Sequence, residues 1–311
     1  MIVIRTVVRP VVIAVGALVV GISLLGRVPS SAWPYELFSA LRMHMALATI
    51  VLLALSLVIR SKLVAVGLGV ALLLTGPALV NTFAWSSPDA RGGQPLRIGH
   101  VQLQGNALDL GSVLDEIERR DADVFVVIAA SQASTQSLPR RSMTYRIESI
   151  DVGQMITVIT NTKTLVREGP LRASGPGAAA TFDLMPRAGG RLSVLALHTP
   201  APVSPGRTDL RNAMLDATAD WSNEQEAPHL VLGDFNATPM SHAFRSLRSD
   251  AGLADSASGR GWQPTWPADA GWLGIPIDHV LHSGELATTK RELGPNFGAA
   301  HRSLWVTLEF A

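Results

Sequence analysis

Apolar residues are concentrated in the first eighty or so positions, whereas the rest of the chain alternates short apolar runs with polar segments. Three stretches are almost free of charge and each is long enough to cross a hydrocarbon core of about 30 Å as a helix: Val7–Leu25, Leu37–Ile59 and Leu63–Val80. This pattern predicts a membrane anchor of three transmembrane helices over residues 1–85 and a Ser-, Pro- and Gly-rich linker over residues 86–95. A signal peptide cut after Ala32 is an alternative for the first stretch.

The basic residues around these stretches predict the orientation of the anchor. The richer side carries Arg5, Arg9, Arg60 and Lys62, and the other side carries Arg27 and Arg42. Because cytoplasmic loops carry an excess of Lys and Arg, the richer side is predicted to be cytoplasmic. We therefore expect a multi-pass protein of the inner membrane, with the lipid bilayer as a partner and the residues from Leu96 onwards outside the cytoplasm.

Residues 96–311 show the periodicities of an α/β domain. The main strand-type runs are Leu96–Leu103, Val124–Ala129, Met155–Thr160, Ala178–Leu184, Leu192–His198, His229–Leu232, His279–Leu281 and Leu304–Phe310. Helical patterns cover Asp109–Arg120, Arg207–Trp221 and Ser241–Ser249. A segment of this length buries one good core, so the sequence predicts a single α/β domain of two layered sheets with helices on the outside.

Composition narrows the classes of partner. The net charge of +1 gives no global basic field, so nucleic acid is possible as a partner but is not supported by charge. The chain has no cysteine, which fits either side of a membrane and does not decide the compartment.

The stretch LVLGDFNATP, Leu230–Pro239, offers the first candidate chemistry. A buried strand ends at Gly233 and delivers Asp234 and Asn236 onto the loop that follows. Asp can take a proton from water or bind a hard cation, and Asn can hold an anionic oxygen without adding charge. The alternative is an Asx-type turn in which both side chains cap the next helix.

Three further residues lie at predicted strand ends or beside them. They are His198, which precedes Thr199-Pro200, Asp278 in GIPIDHVL, and His301 before the final strand. Each histidine alone is more typical of a structural position. Together with Asp234 and Asn236, however, they are the residue types of metal-assisted phosphoester hydrolysis, in which a hard cation neutralises the charge that develops on phosphorus.

These motifs resemble the endonuclease/exonuclease/phosphatase superfamily, the DNase-I-like fold, and most closely its small bacterial branch with an N-terminal membrane anchor. The blocks that carry the resemblance are LRI (Leu96–Ile98), DADVFVV (Asp121–Val127), LALHTPAPVSP (Leu195–Pro205), LVLGDFNATP, PTWP (Pro264–Pro267), GIPIDHVL (Gly274–Leu281) and HRSL (His301–Leu304). The resemblance implies a four-layer α/β/β/α sandwich and a metal-dependent phosphodiester or phosphomonoester hydrolase.

The resemblance also implies roles for the candidate residues. His198 corresponds to the histidine that contacts phosphate, Asp234 to the aspartate that activates water and Asn236 to the asparagine that orients phosphate. Asp278 corresponds to the aspartate that pairs with the terminal histidine, His301. The implied cofactor is Mg²⁺ or Mn²⁺, held weakly by Gln102, Asp234 and Asn236.

Three positions depart from the family pattern and place this metal in doubt. Gln102 stands where the family has Asn, and Ala129 and Ala300 replace the two carboxylates that are its main metal ligands. Mg²⁺ is usually held by one or two carboxylates, which alanine cannot supply. Two classes therefore stay open: a phosphoric ester hydrolase with a degraded metal site, and a catalytically dead pseudoenzyme that binds a phosphorylated ligand, lipid headgroup or protein.

Overall fold

The structure is a computed structural model, and it describes residues 9–84, 92–93, 95–103, 110–129, 145–162, 165–173, 175, 177–186, 190–226 and 228–310. The chain begins with four helices, α1 (Arg9–Leu25), α2 (Tyr35–Ala40), α3 (Arg42–Val58) and α4 (Lys62–Ala84). Helix α3 packs against both α1 and α4. We call α1–α4 the N-terminal helices. Most of the predicted linker, residues 86–95, lies outside the described residues.

The N-terminal helices correct the prediction of a membrane anchor. Helices α1 and α3 have 17 residues each, and at about 1.5 Å per residue they are shorter than a hydrocarbon core of about 30 Å. The second predicted span is divided at Leu41, between α2 and α3. Among the described residues, no helix combines the length and the apolar character that a membrane crossing requires. The predicted transmembrane helices are therefore wrong, and so is the inner-membrane location that depended on them.

Two six-stranded sheets form the rest of the structure. The first runs in the order β11 (Leu286–Leu293), β12 (Leu304–Phe310), β1 (Leu96–Leu103), β2 (Val124–Ala129), β4 (Met155–Asn161) and β3 (Tyr145–Asp151). The second runs in the order β5 (Leu165–Ala173), β6 (Ala178–Pro186), β7 (Leu192–His198), β8 (His229–Asp234), β10 (Asp278–His282) and β9 (Ala254–Asp255). The predicted sandwich of two sheets is confirmed.

The alternation of side chains along each central strand builds three layers of core. On β2, Val124, Val126 and Ile128 face the second sheet, while Phe125 and Val127 face the helix α5 (Leu110–Arg119). Helices α6 (Pro205–Asn223) and α7 (His242–Asp250) cover the outer face of the second sheet in the same way. Because the central strands are buried on both faces, they read as continuous apolar runs in the sequence.

The strands that the sequence pattern did not predict are β3, β5, β9 and β11, and each lies at the edge of a sheet. An edge strand pairs with a neighbour on one side only and leaves its other side in contact with water. Its apolar pattern is therefore weak. Strand β3, for instance, carries Arg146, Glu148 and Asp151 and has no fully buried residue. By contrast, the bounds of β1, β2, β7 and β12 agree with the predicted runs residue for residue.

Gly233 allows β7 and β8 to pair next to the site. Its φ is +140°, and a Cβ built at this position would lie 1.9 Å from the carbonyl oxygen of Leu197 on β7. We expect Gly233→Ala to lower the free energy of unfolding by about 3 kcal/mol or more, since backbone strain and overpacking add. Thermal or urea unfolding measures this.

The matched control is Gly284→Ala, because a Cβ at Gly284 meets no atom within 4 Å and its φ is not positive. An equal loss of stability in both variants would contradict the proposed close approach of β7 and β8.

Candidate functional site

Strand register brings three candidate residues side by side in the second sheet. His198 at the end of β7 is the parallel partner of Asp234 at the end of β8. Asp278 at the start of β10 is the antiparallel partner of the same Asp234. Register partners project to the same face of a sheet. The structure therefore brings His198, Asp234 and Asp278 together in one row across three strands.

Asp234 is fully buried and is contacted from both sides. Its Oδ2 lies 3.4 Å from Nε2 of His198 and 4.0 Å from Nε2 of His301. The other ring nitrogen of His198, Nδ1, lies 2.6 Å from Oε1 of Gln154 in the turn between β3 and β4. A donating Nδ1–H leaves the lone pair of Nε2 directed at Asp234.

Asp278 lies between two histidines. Its Oδ2 is 2.8 Å from Nδ1 of His301, and its Oδ1 is 3.1 Å from Nε2 of His100. All three side chains are buried. The sequence analysis predicted His301 in this role but missed His100. The missed signal is the strand period, because His100 shares with Leu96 and Ile98 the face of β1 that points between the sheets.

These contacts divide the charge unequally between the two carboxyl groups. Burial disfavours ionisation of Asp278, but the charge and hydrogen bond of His301 and the hydrogen bond from His100 hold the pKa of Asp278 well below its usual range. Burial and repulsion by Asp278 raise the pKa of Asp234 to about 8. At neutral pH, Asp278 is therefore ionised and Asp234 carries a proton.

The pKa values of His301 and His198 are likewise shifted in opposite directions. Burial opposes the charged form of His301, but Asp278 and Asp234 outweigh it and raise the pKa of His301 to about 9. Burial, together with the charge on His301, lowers the pKa of His198 to about 4. At neutral pH, His301 is an imidazolium and His198 is neutral, so a proton of Asp234 can lie between its Oδ2 and Nε2 of His198.

Asn236 is held in an uncommon conformation beside this row. Its φ is +44°, in the left-handed region that Asn tolerates better than most residues. Its Nδ2 donates to the carbonyl oxygen of Thr199 at 2.7 Å and to Oδ2 of Asp234 at 3.1 Å, and its backbone N donates to Oδ1 of Asp234 at 2.8 Å. We call the segment Asp234–Ser241 the site loop.

His279, which follows Asp278, points to the opposite side of β10 and supports the site loop from behind. Its Nε2 lies 2.9 Å from the carbonyl oxygen of Ala237, and its Nδ1 lies 3.7 Å from Oδ2 of Asp255. A neutral or charged ring can donate from Nε2 to this carbonyl. His279 therefore fixes the middle of the site loop from the face of β10 opposite to Asp278.

The described side chains do not offer the set of oxygen ligands that Mg²⁺ prefers. Oε1 of Gln102 is buried and no described residue hydrogen-bonds to it, so it could face a cation. Ala300 supplies no side-chain oxygen, and the side chain of Ala129 lies outside the described part of the structure. Within the described ranges, no group of three or more His, Cys, Asp or Glu side chains is arranged to hold a metal ion. Ser131 and Gln132, which follow Ala129 closely in the sequence, and most of the Arg-rich stretch Pro139–Arg146, which could contact phosphate, also lie outside those ranges.

Comparison with known proteins agrees with this architecture. The family model described as Endonuclease/Exonuclease/phosphatase family matches residues 99–307. An endonuclease/exonuclease/phosphatase from Bacteroides vulgatus is 14% identical with a TM-score of 0.57, and the match covers 70% of this chain and 100% of that one. A comparison with curated proteins found no match.

Two further solved structures carry a description of a ligand or an activity. The human nocturnin catalytic domain with bound sulfate anion is 17% identical with a TM-score of 0.54, covering 70% of this chain and 95% of that one. A mannosyl-6-phosphatase from Bacteroides thetaiotaomicron is 13% identical with a TM-score of 0.52, covering 69% and 100%. Likeness at these identities shows the fold alone.

The pairing of His301 with Asp278 can be tested by titration. Asp278→Asn removes the nearest negative charge and the carboxylate acceptor at Nδ1, so the pKa of His301 should fall below about 9, because less negative charge then opposes the effect of burial. NMR titration of the ring protons measures it.

Asp183→Asn is the control, since Asp183 pairs with Arg191 and Ser193 on the opposite end of the second sheet. An unchanged pKa of His301 in Asp278→Asn would show that Asp278 does not hold its proton.

Proposed function

The chain belongs to the endonuclease/exonuclease/phosphatase family, and we propose that it binds a phosphate ester beside Asp234, where β7 and β8 end, and hydrolyses it. The observation that carries the proposal is Nε2 of His301, a buried ring nitrogen to which no described residue offers a hydrogen bond. With its proton on, this atom is a cationic donor 4.0 Å from Oδ2 of Asp234. A phosphoryl oxygen is the acceptor that it fits best.

The neighbouring groups supply acid–base chemistry. The carboxylate form of Asp234 takes a proton from a water molecule, whose oxygen forms a bond to phosphorus while the bond from phosphorus to the leaving oxygen breaks. The proton then passes to the leaving oxygen. A base with a pKa of about 8 is well matched to this task near neutral pH. His198 and Asn236 hold the carboxyl group of Asp234 in place.

A divalent cation is the family's usual source of positive charge, but these residues do not fit it. The imidazolium of His301 already carries positive charge 4.0 Å from Oδ2 of Asp234, the carboxyl oxygen to which a cation would have to bind. Mg²⁺ also requires oxygen ligands in near-octahedral order, and the loss of a carboxylate at Ala300 removes one of them. We therefore assign no step of the proposed reaction to a metal, and the imidazolium of His301 neutralises the phosphoryl charge instead.

The second candidate is a pseudoenzyme that binds a phosphorylated ligand without turnover. The replacement of the two family carboxylates by Ala129 and Ala300 favours it. The sulfate in nocturnin and the phosphatase activity of the Bacteroides thetaiotaomicron protein are described for those proteins. For this chain they support an anionic phosphoryl group as the ligand in both candidates, and a phosphomonoester is the first substrate to test.

The proposed acid–base roles predict a narrow alkaline pH profile. kcat/KM should rise as Asp234 loses its proton near pH 8 and fall as His301 loses its proton near pH 9. Asp234→Asn should lower kcat/KM by about 10²–10⁴-fold, the range for general acid–base catalysis. Hydrolysis of a chromogenic phosphomonoester between pH 6 and 11 measures both.

Asp209→Asn, an exposed change on α6, is the control and should leave the profile unchanged. Binding of phosphate by the wild type without turnover at any of these pH values would reject the hydrolase and leave the pseudoenzyme.

The missing carboxylates make a separate prediction about metal binding. We expect Ala129→Glu and Ala300→Asp together to strengthen Mn²⁺ binding by more than about a hundredfold, since each ionic ligand contributes more than about 1.4 kcal/mol. Each single change should do less. Calorimetry on the wild type, both single variants and the double variant measures it.

Tight Mn²⁺ binding by the wild type, with metal-dependent turnover that Asp234→Ala abolishes, would contradict the assignment of the cationic role to His301.

A further inference from the structure

Glu36 on α2 completes the N-terminus of α7, a helix that lies more than 200 positions later in the chain. Its Oε1 accepts hydrogen bonds from the backbone N of His242 at 2.9 Å and of Ala243 at 3.3 Å. Its Oε2 accepts a short hydrogen bond from Oγ of Ser241. The first backbone N–H groups of a helix have no partner within the helix and carry partial positive charge. A carboxylate satisfies both needs.

The same carboxylate is paired with Arg211 on α6. Nη1 of Arg211 lies 3.1 Å from Oε2 of Glu36, and the side chains are only 0% and 1% exposed. An unpaired charge at such depth is strongly unfavourable. The N-terminal helices therefore cannot leave this position without leaving the buried charge of Arg211 unpaired, whereas Glu36 keeps its hydrogen bonds from Ser241, His242 and Ala243 when Arg211 is removed.

The contacts of Glu36 lead directly to the site loop. Ser241 is the last residue of that loop and the N-cap of α7, and its backbone N donates to the carbonyl oxygen of Thr238 at 2.9 Å. His279 holds the carbonyl oxygen of Ala237, so the loop is fixed at its middle from β10 and at its end from α2. Asp234 begins this loop.

The N-terminal helices lie outside the part of the chain that the family model matches, residues 99–307. The solved structures described above likewise cover about 70% of this chain while being covered almost completely themselves. Two more contacts join the addition to the domain: Nδ2 of Asn212 donates to the carbonyl oxygen of Ser31 at 2.9 Å, and Nε2 of His44 lies 2.7 Å from the carbonyl oxygen of Leu273.

We propose that Glu36 is a positioning residue for the site loop, and that the N-terminal helices are thereby part of the structure that holds Asp234 and Asn236 in place. Glu36 touches no reacting group, and it acts through Ser241 and the first turn of α7. The effect on turnover rests on the proposed hydrolysis, whereas the effect on the loop does not.

The test compares two ways of breaking one ion pair in the full-length chain. Glu36→Met removes both the partner of Arg211 and the acceptor for Ser241, His242 and Ala243. Arg211→Met removes the charge pair but leaves that acceptor. Glu36→Met/Arg211→Met removes the acceptor without leaving a buried charge unpaired. Amide hydrogen exchange over residues 235–243, thermal unfolding, and kcat and KM for a chromogenic phosphomonoester are measured for each.

Both single variants should lower the unfolding temperature, but only Glu36→Met and the double variant should accelerate exchange over residues 235–243, by about tenfold or more. In those two variants kcat should fall by about tenfold with a smaller change in KM, because a displaced catalytic group costs rate out of proportion to binding. Arg211→Met should keep wild-type exchange in the loop and wild-type kcat.

Equal effects of Glu36→Met and Arg211→Met on loop exchange and kcat would overturn the proposal, because Glu36 would then act only through stability. Wild-type exchange in the double variant would overturn it as well, and that comparison decides the matter if a single variant does not fold. A wild type without turnover would reject the proposed hydrolysis, and the exchange measurements would still decide the role of Glu36.

Discussion

The ionised carboxylate of Asp278 must be stabilised in a space that water does not reach, and the arrangement of the site follows from that requirement. Asp278 belongs to β10 of the second sheet, whereas His100 lies on β1 of the first sheet and His301 directly precedes β12 of the first sheet. The compensating hydrogen bonds therefore connect the two sheets. Buried ion pairs add little net stability, but one that spans two layers fixes how the layers meet.

The charge on Asp278 in turn decides the state of its neighbour. Asp234 is its register partner on β8, and two carboxylates so close together in a dry site cannot both be ionised at neutral pH. Since two histidines compensate Asp278 directly, the proton goes to Asp234. Strand register and the two histidines together thus keep Asp278 ionised at neutral pH and raise the pKa of Asp234 towards the range in which a general base is useful.

Much of the domain could be predicted from its sequence because the central strands are buried on both faces and read as continuous apolar runs. The row of His198, Asp234 and Asp278 was accessible for the same reason, since each residue ends or begins such a run. The edge strands β3, β5, β9 and β11 were not, because contact with water weakens their pattern. The strand period places His100 on the face of β1 that points between the sheets, but its partner Asp278 lies across the sandwich and is seen only in the structure.

The N-terminal part shows a different limit of sequence patterns. Length and apolar character predicted three membrane spans. The second of these spans is divided at Leu41, however, and the N-terminal helices dock onto the domain. One of the contacts that dock these helices is made by Glu36, which directly precedes the second predicted span. No pattern in the sequence marks its partners, Arg211 and the first turn of α7. Tertiary hydrogen bonds between distant segments leave no periodic signal, so such a contact is visible only in the structure.

For the proposed ligand, a phosphoryl group, the imidazolium of His301 and a divalent cation are alternative sources of the positive charge that would neutralise it. A cation beside Asp234 would repel the charge on His301 and lower its pKa, and the proton would leave. Conversely, without a carboxylate at Ala300, the negative potential around His301 comes from Asp278 and Asp234 and is sufficient to hold one proton. The replacement of carboxylates by alanine and the raised pKa of His301 are therefore consistent parts of the same site.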